Sequence, residues 1–465
     1  MRKQLELTEL TAIGPLDGRY RERVIELAPY VSEYSLIRTR IEIEAKYLAA
    51  LSDVGLVRKL TRTERTRLES VGDEIDLKEA EKVKKIEEET RHDVKAMERA
   101  FRNLLSGTSL ADVVEMVHFG LTSEDVNNLA YRLMLKRATQ EVAIPAVDGF
   151  IDGLVERAEK FKTTPMLART HGQAAVPTTV GKELIVFATR LNTQVRNLEN
   201  QNLTGKLTGA VGNFNALQFA SPDVDWIKFS KGFVKSMGFD PNLTTTQTNP
   251  YEDIIAYFQT YQRINSVIVD FDQDMWRYIS DDWFIQEVKK GEVGSSTMPQ
   301  KVNPIDFENS EGNLLMANGV LEALSRKLGV TRLQRDLSDS TTIRNIGTVL
   351  AYSLVGYKSA VAGLSRVRPN EQKIEGDLNR DWAILTEAVQ TLLRKLGVED
   401  PYSMVSSLTR GEHITEAGWF GWIDKLPIVQ EQKNQLRELS PKTYLGLAPE
   451  ITEQAIKEIK SSRKK

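Results

Sequence analysis

The distribution of proline constrains this chain more than any other feature. None occurs between Tyr251 and Met298, and none between Ile305 and Arg368. A proline inside a helix costs about 3 kcal/mol, so runs this long permit long helices. The apolar residues supply the period. Phe258, Tyr261, Ile264, Ile268, Phe271, Met275 and Tyr278 recur at helical spacing, as do Leu184, Phe187, Leu191, Val195 and Leu198, and Ile346, Leu350, Leu354, Tyr357, Val361 and Leu364. These are helix stripes, not the alternation of a half-buried strand. Each helix is expected to run about 20 to 28 residues, beyond the globular mean. Stripes of that length need similar helices to cover them, which predicts a bundle and contact with other subunits. No convincing run of strands and no fixed repeat is present, so the expected fold class is all-α.

Breaks divide the chain in three: residues 1–111, mixed and mostly helical, ending near "LLSGTSLAD"; 112–366, holding the long helices; and 367–465, where "VEDPY", "LTRGEH" and "ELSPKTY" separate shorter helices. A chain of 465 residues is too long for one ordinary core. Lys and Arg total 62 against 65 Asp and Glu, a formal charge of −3, which argues against nucleic-acid binding driven by bulk charge. There is no cysteine, which excludes disulfides, thiolate catalysis and cysteine metal sites. "MRKQLELTEL" lacks the apolar run of a signal peptide, and no apolar stretch suits a membrane span. A cytoplasmic protein is the expectation.

Polar clusters interrupt the helices. Of four histidines, three lie in punctuated contexts: His92 in "TRHDV", His118 in "HFGLTSEDVNN" and His171 in "RTHGQ". None forms a metal-binding pattern such as HExxH, so a metal site is disfavoured. Thr122 or Ser123 is a fitting helix cap, with Glu124 and Asp125 in the first turn, and a helix start can hold a carboxylate or phosphate. His171 precedes Gly172. A turn with a capping histidine and a site of close backbone approach by a ligand stand level there. "RLQRDLSDSTTIRN" places Arg335, Ser340 and Arg344 at the head of a long helix, suited to phosphate, although exposed charged linkers also look like this. Arg19 and Tyr20 in "GPLDGRY" add a weaker anion contact. "GSSTMPQKVNP", residues 294–304, sits between a helix expected to end near Val288 and one starting after Pro304. Its glycines and prolines suit a mobile lid carrying catalytic groups.

Together these motifs resemble the fumarase/aspartase superfamily, whose members release fumarate or a close relative by β-elimination. "RTHGQ", "TSEDVNN", "TRHDV", "LDGRY" and "QRDLSDSTTIRN" are similar to the adenylosuccinate lyase family in its bacterial form. The resemblance runs from about residue 11 to the C-terminal region. It implies a three-domain helical homotetramer with sites shared between subunits, and no cofactor or metal. The implied reactions are cleavage of adenylosuccinate to AMP and of the succinyl-carboxamide ribotide SAICAR to AICAR, each with fumarate. By the same resemblance Ser295 is the general base and His171 the general acid. His118 lies close to the substrate, Glu308 orients the acid histidine, and Lys301 and Asn303 hold the succinyl carboxylates. Thr122, Ser123, Thr170, Gln247, Ser296 and Met298 contact substrate. Asp93 is a further substrate contact, and His92, Arg19, Tyr20, Arg335, Ser340 and Arg344 surround the nucleotide end, the last five around the phosphate.

The sequence departs from the family pattern at four places: Gln300 and Tyr251 where histidine is usual, Ala174 where proline is, and Asn249 where glutamate is. Glutamine cannot change charge near neutral pH, so any role needing a charged histidine at position 300 is absent. Two rival readings stand beside the first. One is an argininosuccinate-type lyase, favoured by Gln300. The other is a non-catalytic helical scaffold.

Overall fold

The computed structural model describes residues 5–288, 297–298, 300–409 and 413–463. The fold is all-α around long helices. Among the described residues these are Glu252–Ser280, Ile305–Leu328 and Glu33–Asp53, of 29, 24 and 21 residues, and Val180–Glu199 and Ile346–Ser365, of 20 each. The proline-free stretches therefore become helix, and the stripes face inward. Phe258, Ile268 and Met275 are fully buried, as are Leu191, Val195 and Tyr357. Val361 is the exception at 38% exposed, because it has drifted off the buried face.

The chain forms two compact units, each discontinuous in sequence. One comprises Met1–Ala146, Gln194–Ser266 and Gly312–Gly356, the other Val147–Thr193, Val267–Glu311 and Tyr357–Lys465. In the second unit four helices meet at one aromatic cluster. Phe271 lies edge-on to Phe150, Phe187 and Phe307, with centroids 5.2, 5.4 and 5.9 Å away. Gly363 lets the end of a fifth helix close on this cluster, since a Cβ there would lie 2.7 Å from the Phe307 ring. Burying each such ring stabilises the fold by about 1.5–3 kcal/mol. In the first unit three long helices are joined by polar contacts as well. The Asn265 amide donates to Asn318 Oδ1 at 3.0 Å and to Ser353 Oγ at 3.1 Å. After Pro369 the helices shorten to between 8 and 15 residues, and Trp382, Trp419 and Trp422 share a separate small core.

Three expectations change. Short ladders are present: Pro165–Thr170 pairs antiparallel with Gln173–Thr179, Phe284–Gln286 antiparallel with Val367–Pro369, and Thr204–Gly205 parallel with Asp240–Pro241. Pieces of two to seven residues are too short to print a strand period. The helix expected to reach Val288 stops at Ser280. Asp282 turns left-handed at φ 61° and the chain enters the 284–286 ladder. Arg335 and Ser340 do not head a long helix. Ser338–Ile343 is a separate helical turn, and the long helix opens at Ile346.

Candidate active site

In the first unit the helix Ser123–Ala138 organises the candidate residues. Its first half is polar yet buried: Glu124, Asp125, Asn127 and Asn128 are each at most 7% exposed. Each has a dedicated partner. The Thr122 N–H donates to Asp125 Oδ2 at 2.9 Å, which fixes the helix start. Asp125 Oδ1 accepts from the Thr208 and Gly209 N–H groups at 2.9 and 3.2 Å and lies 3.2 Å from the Lys206 ammonium. Thr122 and Ser123 remain half-buried at the mouth of this start.

Two arginines expected at the phosphate are paired with carboxylates. Arg335 reaches Glu124 at 2.9 Å and Asp339 at 3.4 Å. Arg344 reaches Glu33 at 3.0 Å and Asp93 at 2.9 Å. Asp93 also receives Arg40 at 2.8 Å, and Arg40 in turn donates to Asn127 at 2.9 Å. Burial pushes the Asp93 carboxyl up, but Arg40, Arg344 and its hydrogen bonds outweigh it and bring it to about 2. Ser340 is half-buried, its N–H donating to Asp339 Oδ1 at 2.7 Å. His92 caps the helix Asp93–Ser106, its Nδ1 accepting from Lys95 N–H at 3.2 Å. That bond leaves Nε2 on the exposed side of the ring. Gln247 donates to the Ala210 carbonyl at 3.2 Å. Arg19 is exposed and Tyr20 half-buried just before the short helix Arg21–Val24.

His118 is mostly buried at a left-handed position, φ 62°. Its Nδ1 lies 2.5 Å from Glu44 Oε1, and its own N–H donates to Glu44 Oε2 at 3.1 Å. The fully buried Glu44 therefore fixes both the ring and the backbone beside it. Burial lowers the His118 pKa, but the Glu44 hydrogen bond and charge outweigh it, and the net shift is upward. With the folded value above the unfolded one, the pair's stabilisation is complete below about 6.5 and is lost as pH rises through the folded value. Glu44→Gln is expected to bring the His118 titration down, read as one of four signals in histidine-labelled NMR. An unmoved signal would mean that Glu44 does not hold this ring.

The second unit carries the other group. Thr170 pairs with Gln173, leaving His171 and Gly172 as the two central residues of a hairpin turn, with φ of 52° and 74°. Positive φ at both centres is the type I′ pattern. His171 is thus no cap. It stands exposed at the tip beside Thr170, with no side-chain hydrogen bond among the described residues. Arg169 braces the turn from below, donating to Gly172 O at 3.3 Å while lying over the Trp283 ring. Farther along, Met298 O accepts the Lys301 N–H at 3.0 Å, and the Gln286 amide holds Val302 O at 2.9 Å. Lys301 is exposed and Asn303 half-buried. Glu308 sits in the first turn of Ile305–Leu328, with the Trp276 indole N–H on its Oε1 at 3.1 Å. Ser295 and Ser296 lie outside the described residues.

Of the four departures, Gln300 and Ala174 are exposed. The other two are scaffold. Asn249 bridges Asn242 and Thr204 at 3.1 and 3.0 Å, and Tyr251 donates to Asp339 at 3.1 Å beneath Arg132. Sequence reasoning missed Arg40, Glu44, Lys206 and Asp339 altogether. The signal was present for two: Arg40 and Glu44 interrupt the apolar face of Glu33–Asp53, where a charge needs a buried partner. Among the described residues no group of three or more histidine, aspartate or glutamate side chains could hold a metal ion, and no helix is long and apolar enough to cross a membrane.

The chain matches a family profile described as lyase over residues 18–319 and one described as adenylosuccinate lyase C-terminal over residues 331–445. It is 44% identical to adenylosuccinate lyase of Haemophilus influenzae, over 97% of this chain and 99% of that one. It is 41% identical to the Escherichia coli K12 protein of that name, over 96% and 98%. The one from Dictyostelium discoideum is 42% identical, over 96% and 99%. Among solved structures, a fumarate lyase from Mesorhizobium superposes with a TM-score of 0.74 at 16% identity, over 93% of this chain and 97% of that one. The 3-carboxy-cis,cis-muconate lactonizing enzyme of Pseudomonas putida gives 0.72 at 16%, over 95% and 99%. These two likenesses show the fold.

Proposed function

The chain belongs to the adenylosuccinate lyase family, and from that we infer how its side chains divide the work. The activity is carbon–nitrogen lysis of adenylosuccinate to AMP and fumarate. In this reading SAICAR is the second substrate, cleaved by the same chemistry. A base removes the proton beside a succinyl carboxylate, the C–N bond breaks, and an acid protonates the departing nitrogen. Ser295 is the base and His171 the acid. Lys301 and Asn303 take the carboxylates and stabilise the carbanion-like intermediate. His118, held by Glu44, lies at the reacting end, and Glu308 orients the acid. Thr122, Ser123, Thr170, Gln247, Ser296 and Met298 contact the substrate body. His92, Asp93, Arg19, Tyr20, Arg335, Ser340 and Arg344 take the nucleotide end.

One observation carries the assignment of that end. Arg335 and Arg344 are each fixed by carboxylates at 2.9 Å, and both sets of contacts lead back to the helix that starts at Ser123. Preplaced guanidiniums are what a phosphate needs. The reading includes a homotetramer with shared sites. Its support is apolar surface on the long helices, where Trp276, Leu315 and Met316 are 45–54% exposed. It also keeps the three regions 1–111, 112–366 and 367–465, supported by the shorter helices of the last. A cytoplasmic location accompanies it.

The test is ultraviolet-monitored turnover of adenylosuccinate and, separately, SAICAR, with light scattering on the same sample. Turnover of both by a tetramer is expected. For Ser295→Ala, kcat should fall by about 10²–10⁴-fold with the fold intact. Near-normal turnover by that variant would end the base assignment, and a fully active monomer would end the shared-site reading.

A further inference from the structure

The charges around Arg335 do not balance. Its guanidinium faces two carboxylates, Glu124 at 2.9 Å and Asp339 at 3.4 Å, and both are 2% exposed. The neighbouring cations are already committed. Lys206 is held by Asp125 at 3.2 Å, and Arg132 by Asp253 at 2.7 Å. The groups acting on Glu124 come from four segments. Arg132 and Tyr131 lie on its own helix, Arg335 and Asp339 belong to the turn before Ile346, and Lys206 and Tyr251 complete the set. Tyr251 donates to Asp339 at 3.1 Å, which leaves Glu124 as the carboxylate without a hydroxyl donor of this kind. With every carboxylate ionised, the cluster of Arg335, Arg132, Lys206, Glu124, Asp339, Asp253 and Asp125 carries one excess negative charge. A phosphate dianion brought to Arg335 would make that excess larger.

We propose that Glu124 is a positioning residue that takes up one proton from solvent when a nucleotide phosphate engages Arg335, and returns it on release. The inference rests on the reading of Arg335 as a phosphate ligand. Ionised, Glu124 forms an ion pair with Arg335 at 2.9 Å and holds it in place. Protonated, it no longer competes with the phosphate for that guanidinium. The Arg335 side chain is 15% exposed, so a ligand can reach it. The free protein is poised for this exchange. Burial pushes the Glu124 carboxyl up to about 7, against the pull of Arg335, Lys206 and Arg132. A nearby dianion raises it further, since like charge disfavours the ionised form.

The experiment is calorimetric titration of the intact protein with AMP at pH 8, in two buffers of different ionisation enthalpy, repeated with adenosine. Wild type is expected to take up about one proton per site with AMP and none with adenosine. Its AMP Kd should rise about tenfold per pH unit above 7. Glu124→Gln, a neutral isostere, should bind AMP without proton uptake and with a Kd flat from about pH 7 to 9. Titration of histidines and of the phosphate itself is common to both proteins and cancels in the comparison. No proton uptake by wild type would overturn the proposal, and that measurement stands even where the variant fails to fold. The same uptake in folded Glu124→Gln would also overturn it. Arg335→Met separates the two levels. If it binds AMP as tightly as wild type does, the phosphate reading of Arg335 itself falls. If it loses AMP binding while Glu124→Gln keeps wild-type uptake, only the role of Glu124 falls.

Discussion

His171→Asn is expected to lower kcat by about 10²–10⁴-fold without moving the melting temperature. Both halves follow from the hairpin. His171 sits at φ 52°, a left-handed conformation that asparagine tolerates better than other non-glycine residues. Its side chain is exposed, so its removal leaves no cavity and no orphaned buried partner. The amide cannot deliver a proton to the departing nitrogen, so the loss falls on kcat. AMP binding, assigned to other residues, should hold. Near-normal kcat in a folded variant would remove His171 from the reaction.

The second large effect is on stability. Arg132→Met is expected to cost about 3–5 kcal/mol, measured by urea unfolding at pH 7. The Arg132 side chain is fully buried. It donates to both Asp253 oxygens at 2.7 and 2.9 Å and to the Pro250 carbonyl at 2.9 Å. Asp253 accepts from Thr204 N–H and Oγ1 as well, at 2.7 and 2.9 Å. Removing the arginine strands this carboxylate, whereas Arg132→Met with Asp253→Asn removes both charges and should recover most of the loss. Burial pushes Asp253 up, but Arg132 and Thr204 outweigh it and hold it below the ordinary carboxylate range. The folded value is the lower one. The stabilisation is therefore present above about pH 4 and is lost as pH falls through the folded value, so the gap between wild type and Arg132→Met should narrow in acid. An unchanged midpoint for the single variant would show that the ion pair adds nothing net.

Different parts of the molecule were legible to different degrees. Helix stripes print themselves in sequence because burial repeats at the helical period, and Leu191, Phe258 and Phe271 are as buried as their spacing implies. Thr122 and Asp125 were legible as a helix start, because a cap is local chemistry. The hairpin under His171 was not. Its strands are six and seven residues long with a register shift after Leu167, too short and irregular for a period. Tyr251 and Asn249 read as changes bordering the site, and the fold makes them buried members of a hydrogen-bonded scaffold.

By itself the sequence determined the long helices, their buried faces, the family motifs and the residue types available for β-elimination. Each of these is set by neighbours within a few positions along the chain. Only the tertiary structure decided which charge meets which. Glu44 meets His118 across 74 positions, Arg40 meets Asp93 across 53, and Arg344 meets Asp93 across 251. The attraction between ionised groups depends on distance through space and on the burial around them, and helix packing sets both.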